Sequence, residues 1–259
     1  MAGEFMILAL DIGNTNITLG CIKNGDILFA EHLSTDYEKT SLEYTLSLKI
    51  ILEIHGLTPS DIQGVIIGSV VPPLIDIMKE AIRKIIRKKI LVVGPGVKTG
   101  LNILIDNPAQ MGSDLIAGAV AGISNYSAPL ILIDMETATT ICVIDKNKNY
   151  IGGMIMPGIK VSLDSLTTKT SKLPRISLNP PKRLIGRSTV ECMSSGILYG
   201  NASCIDGMID RIETQLKEQL TIVATGQFAS KIIPFCTHKI VIDENLLLKG
   251  LFLIYQKNM

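Results

Sequence analysis

The 259-residue sequence contains no tryptophan, and aromatic residues make up only 4% of it. Aromatics that could interleave with basic residues on a nucleic-acid surface are therefore scarce. Histidine is almost as rare. His32, His55 and His238 stand far apart, none at helical spacing from another ligand type, so a histidine-based zinc site is not expected. Five cysteines, Cys21, Cys142, Cys192, Cys204 and Cys236, show no C-x-x-C spacing and read as reduced thiols of a cytosolic protein. Net charge is also missing. With 25 Lys and Arg against 24 Asp and Glu the formal charge is +1, and no strong field draws the chain to nucleic acid or to an anionic membrane. Hydrophobic residues reach 47%, yet Asp, Glu, Lys or Pro cuts every apolar run well short of the roughly 20 residues a spanning helix needs. The expectation is a soluble, cytoplasmic protein. Residues 1–5, Met-Ala-Gly-Glu-Phe, have neither a basic segment nor a long apolar stretch and read as an added extension rather than a targeting signal.

Against this background one local pattern stands out. The apolar run Met6 to Leu10 stops at Asp11-Ile12-Gly13-Asn14-Thr15-Asn16 and resumes as Ile17-Thr18-Leu19-Gly20. Two strands joined by an acidic turn suggest a phosphate site, with Gly13 free to take a positive φ and Asn14, Thr15, Asn16 and Thr18 offering donors. Asp11, ending a buried strand, suits a hydrated Mg²⁺ on phosphate oxygens. An ordinary hairpin reads the same way.

The pattern returns 123 residues later: Leu130 to Ile133 runs into Asp134-Met135-Glu136-Thr137-Ala138-Thr139-Thr140 and then into a further strand, Ile141 to Ile144. Two such turns half a chain apart indicate a duplicated domain, with one acidic hairpin per half on either side of a nucleoside triphosphate.

The remaining elements fit a duplication. Asn24-Gly25 marks a second hairpin turn, so the chain opens with three antiparallel strands. Leu42, Leu46, Ile50 and Ile54 mark a helix stopped by Gly56; Gly64 to Val71 reads as a strand, Pro73 to Lys88 as a helix and Ile90 to Val93 as a strand. In the second half strands are expected at 130–143, 150–156 and 220–224, with helices near Leu163, over 190–216 and over 246–255. Thr167 to Arg187, with Pro174, Pro180 and Pro181, reads as a flap or a surface loop. Arg83, Lys84, Arg87, Lys88 and Lys89 alternate with isoleucines at helical spacing, which makes them a solvated helix face.

Over nearly its whole length the sequence resembles the type III pantothenate kinases, a family that includes the Bordetella accessory factors and belongs with acetate kinase, sugar kinases and actin. The resemblance is carried by Asp11 to Thr15, by Asp106-Asn107-Pro108 with Gly112-Ser113-Asp114, by Asp134 with Thr137 to Thr140, by Gly152 to Gly158, by Lys172-Leu173-Pro174, and by Ile185 to Glu191 running into Ser195 to Gly200. It implies two duplicated actin-like, ribonuclease H-like α/β domains, 6–118 and 119–259, with mixed sheets and a central nucleotide cleft. It implies ATP-dependent phosphorylation of pantothenate, the first step of coenzyme A biosynthesis. Residues 11–18 and Thr137 carry over as ATP contacts, Asp114 as the general base, and Gly112, Ser113, Asp114, Leu115 and Thr189 as the pantothenate segment. Asp134 carries over to the required K⁺ or NH₄⁺, and the family's site is completed across a homodimer. Asp114 before an apolar helix also reads as an N-cap.

Four positions depart from the family pattern. Glu136 stands for a Gly beside the expected phosphates, Leu115 for an Arg, Ile105 for a Tyr and Gln227 for the second Gly of a nucleotide-side Thr-Gly-Gly. A working pantothenate kinase, a kinase of another small alcohol and a non-catalytic relative are the three readings these substitutions leave.

Overall fold

A computed structural model describes residues 5–259. The expectation for residues 1–4 lies outside the described residues; Phe5 itself continues the first strand pairing, donating to Asn24 Oδ1 at 3.1 Å while its carbonyl accepts from Asn24 N at 2.9 Å.

The chain divides into two compact units, residues 1–101, 106–124 and 245–259 in the first, and 102–105 and 125–244 in the second. The division differs from a single cut at 118, because a whole helix crosses that position and the last helix returns to the first unit.

In the first unit, β1 (Met6–Ile12), β2 (Asn16–Lys23) and β3 (Asp26–Ser34) form an antiparallel meander, with Asn24 and Gly25 at positive φ in the turn. β4 (Gly64–Ser69) pairs parallel to β1, and β5 (Ile90–Val92) parallel to β4, giving the order β3-β2-β1-β4-β5. The continuous apolar run of β1 follows from burial on both faces. Leu8, Leu10 and Ile12 enter one core with α1 (Ser41–Ile54) and α2 (Pro72–Ile85). Ile7 and Ala9 enter another, with α3 (Ser113–Asn125) and α7 (Leu246–Lys257).

The stripe that marks α1 in the sequence is not its buried face. Leu42, Leu46, Ile50 and Ile54 are exposed, whereas Tyr44, Thr45, Leu48, Ile51 and Leu52 are buried. A strict i, i+4 spacing drifts round a helix of 3.6 residues per turn, and the sheet takes the face that carries Tyr44. α2 ends one turn earlier than expected; Arg83 and Lys84 lie on its exposed side, with Lys84 paired to Glu80 at 3.0 Å.

The second unit repeats the first. β7 (Leu130–Met135), β8 (Ala138–Ile144) and β9 (Asn149–Pro157) form the meander, β10 (Thr221–Thr225) pairs parallel to β7, and β11 (Val241–Ile242) parallel to β10. Its sheet order, β11-β10-β7-β8-β9-β6, differs by one added edge strand, β6 (Asn102–Ile103), parallel to β9. α4 (Ile159–Lys169), α5 (Thr189–Leu216) and the one-turn α6 (Ala229–Ile232) complete the unit, and α5 packs Ile197, Leu198, Ile205 and Ile209 against Ile131, Ile133 and Met135. Residues 170–188 carry no helix or strand, and Ser195 Oγ donates to the carbonyl of Leu184 to tie this loop to α5.

All five cysteines are free thiols, Cys21 and Cys142 buried, Cys192 and Cys204 exposed. His32 meets Thr18 Oγ1 at 3.1 Å, His55 stacks on Phe29 at 4.0 Å, and His238 sits between Asp206 and Asp210 at 3.0 and 3.2 Å.

Candidate active site

The β1–β2 turn is closed by Gly13 N donating to Asn16 O at 2.9 Å, and Thr35 fixes it from β3's end, its hydroxyl on Gly13 O at 2.6 Å and its amide on Thr15 O at 2.9 Å. Gly13 does not use the positive φ that the sequence suggested. What it supplies is room, since a Cβ there would lie 3.0 Å from Asn16 O. Asn14 is exposed at the tip, Asp11, Thr15, Asn16 and Thr18 are half-buried, and Ile12 and Ile17 anchor the turn in the core.

Asp11 pairs in register with Gly68 of β4. A Cβ on Gly68 would lie 3.6 Å from Asp11 Oδ1 and 3.5 Å from Ser113 Oγ, so the first turn and the 112–114 segment converge within one unit. Ser113 is buried, and its hydroxyl has no hydrogen-bond partner among the described residues. Asp114 lies inside the first turn of α3, which starts at Ser113, and is therefore not the N-cap. Its Oδ1 accepts from Leu115 N at 2.8 Å, while burial pushes its carboxyl above the usual carboxylate range. Leu115 follows on α3, and Ile105 lies half-buried in the second unit.

In the second unit Asp134 stands opposite Thr140 of β8 and Thr225 of β10, the place that Asp11 occupies in the first. The hydroxyls of Thr139 and Thr140 are buried without a hydrogen-bond partner among the described residues. Thr137 lies in the turn between β7 and β8, and Thr189, exposed, opens α5 behind the Ser188 cap. The loop after β10 folds directly onto the end of β7. Gly226 has φ +91°, and a Cβ there would meet Asp134 Oδ1 and Met135 O at 2.7 Å, so only glycine fits. Here the two nucleotide-side departures meet: Glu136 Oε1 accepts from Gln227 N at 2.7 Å and Oε2 from Gln227 Nε2 at 2.9 Å. In the sequence the two stand 91 residues apart as separate departures, with no sign that they pair. The available signal was that both changes fall on the ends of two adjacent parallel strands.

Two sheets that share a five-strand order, each opening on a hairpin whose first strand carries an aspartate near its end, define an actin-like α/β fold. Solved structures agree. A Campylobacter jejuni protein described as a candidate Baf family transcriptional activator aligns with TM-score 0.59 at 20% identity over 97% of this chain and 98% of its own. The activator of 2-hydroxyisocaproyl-CoA dehydratase from Clostridium difficile, with bound ADPNP, aligns with TM-score 0.58 at 15% identity over 98% and 95%. At these identities the likeness is one of fold. A profile of the type III pantothenate kinases matches residues 7–211, and a type III pantothenate kinase of Bacillus cytotoxicus is 43% identical over 253 residues, 98% of this chain and 97% of that protein. The chain belongs to the type III pantothenate kinase family.

Proposed function

We propose that this protein is an enzyme that transfers the γ-phosphoryl group of ATP to the primary hydroxyl of pantothenate, giving 4'-phosphopantothenate and ADP at the start of coenzyme A synthesis. The observation that carries the reading is the convergence of Asp11, the unpartnered Ser113 hydroxyl and the buried segment of Asp114 in one unit, on a chain 43% identical to a pantothenate kinase. In this reading the hydroxyl oxygen of pantothenate bonds to the γ-phosphorus as the bond to the ADP oxygen breaks, and the hydroxyl proton passes to Asp114. A carboxyl already shifted upward by burial accepts that proton more readily than an ordinary aspartate.

Residues 11–18 and Thr137 are assigned to ATP, and Gly112, Ser113, Leu115 and Thr189 to pantothenate. Leu115 offers no charged donor, so acceptor binding rests on the remaining polar groups of that segment. Asp11 suits Mg²⁺ held on phosphate oxygens, and Asp134 with the facing Thr140 hydroxyl suits K⁺ or NH₄⁺, whose oxygen-rich shell the phosphates would complete. Both cations would supply neutralisation of phosphate charge. Among the described residues no three His, Cys, Asp or Glu side chains group to hold a metal, and no helix is long and apolar enough to cross a membrane. A cytoplasmic location suits an ATP-consuming step in a chain that carries five thiols. A homodimer is part of the same proposal, through Thr189. ADP release should require pantothenate in buffer containing K⁺ and Mg²⁺; release that ignores pantothenate, or none at all, would overturn the assignment.

A further inference from the structure

The geometry points to Glu136 and Gln227 acting as a single clasp that holds the turn after β10 on the end of β7 and so sets the affinity for ATP; neither is a catalytic residue. The inference rests on the assignment of this turn to the nucleotide. Three hydrogen bonds join the turn to β7 and the hairpin turn after it: Phe228 N to Met135 O at 3.3 Å, Gln227 N to Glu136 Oε1 at 2.7 Å and Gln227 Nε2 to Glu136 Oε2 at 2.9 Å. Two of the three belong to this one pair. Both carboxylate oxygens of Glu136 accept from the same residue, a forked arrangement that fixes direction as well as distance. The backbone around it is already constrained, because Gly226 sits at φ +91° with Asp134 Oδ1 and Met135 O pressed against it.

A carboxylate engaged in this way has part of its charge offset by two donors, so its presence beside a phosphate turn is compatible with nucleotide binding. Removing the Gln227 side chain alone would leave that charge on the single backbone donor at 227, with Oε2 unshared. Removing Glu136 alone would leave both Gln227 donors without their acceptor and the turn held on β7 by Phe228 N to Met135 O alone. Each single change should therefore be worse than the parent, although each restores the residue usual in the family. Glu136→Gly would then loosen ATP, the reverse of the effect of deleting an unengaged carboxylate. The reciprocal swap, Glu136→Gln with Gln227→Glu, keeps an acceptor for the 227 amide and a donor–acceptor pair between the side chains.

The test is calorimetric titration with MgATP together with steady-state kinetics, on the parent, Glu136→Gly, Gln227→Gly, the double glycine variant and the swap. Each single variant should raise Kd and KM for ATP roughly fivefold with kcat and the KM for pantothenate within about twofold. The double glycine variant should lose less than the product of the singles, and the swap should recover to within about twofold of the parent. Independent, multiplying effects, or tighter ATP binding by Glu136→Gly, would overturn the clasp while leaving the kinase assignment standing. If the swap unfolds, the glycine cycle still decides. Coupled ATP binding without pantothenate turnover would support the clasp and remove the acceptor assignment, and a parent that binds no nucleotide would overturn both.

Discussion

At Asp114 the demands of folding and of the proposed proton transfer oppose each other. Burial raises its pKa above the usual carboxylate value, so the fold favours the protonated form. That preference contributes stability at pH below the unfolded-state pKa and is lost as pH rises through the folded-state value. At neutral pH the ionised carboxylate is a cost, and Asp114→Asn should unfold at the same or higher urea concentration than the parent. In the proposed reaction the same substitution removes the base, and turnover should then fall at least about a hundredfold. In the parent, kcat/KM should decline on acidification with a midpoint above the ordinary aspartate range; a pH–rate profile flat down to that range would take the proton-accepting role away from Asp114. Asp114 was singled out by the resemblance, through Gly112-Ser113-Asp114, and the start of a helix there was legible as an acid before an apolar run. Its place inside the helix, and its burial, were not, because both depend on how α3 packs. Gly13 is similar: the tight turn could be read, but the reason for glycine, the approach of Asn16 O, needed the register of β1 on β2.

Helices and strands were the best-read level, and the exceptions share a cause. β7 and β10 fall within a residue or two of their expected ends, since buried strands show as uninterrupted apolar runs, whereas β8 begins at Ala138, three residues ahead of the expected Ile141. α1 was found through the wrong residues, because it carries apolar side chains on both faces and only tertiary packing decides which is covered. Ile50→Lys on the exposed side should change stability by less than about 0.5 kcal/mol, whereas Leu48→Ala on the buried side should cost about 2–5 kcal/mol in urea unfolding. α3 and α7 meet more closely than any sequence pattern announced. A Cβ on Gly250 would lie 1.9 Å from Ala117 O, so the α7 backbone rests directly on the helix that carries Ser113 and Asp114. Gly250→Val should force these helices apart, cost about 1–3 kcal/mol or more, and reduce turnover beyond what the unfolded fraction explains. Unchanged kinetics in the folded fraction would mean that α3 holds its position without α7.

At the scale of the molecule, duplication was the feature most open to reading, because it repeats a turn pattern at a fixed separation. The departures from it were hidden: β6 pairs with a strand nearly fifty residues on, and α7 closes the unit in which the chain began. Neither has a local signature. Assembly carries one prediction. If Thr189 serves a neighbouring subunit's site, light scattering at micromolar concentration should give twice the chain mass, and a monomer would detach Thr189 from pantothenate. Chain closure carries another. Leu248, Leu251, Phe252, Ile254 and Tyr255 of α7 supply nearly half of the buried residues in the core on the Ile7 and Ala9 side of the first sheet, and a Cβ on Gly64 would strike the Tyr255 hydroxyl. The second unit's core draws on none of them. A chain ending at Glu244 should therefore lose the first unit while keeping the second, because each sheet has its own core and only one of them is left open. Hydrogen exchange would show it as rapid labelling of 7–93 alongside continued protection of 131–144 and 221–225. Equal loss of protection in both would mean that the two units fold only together.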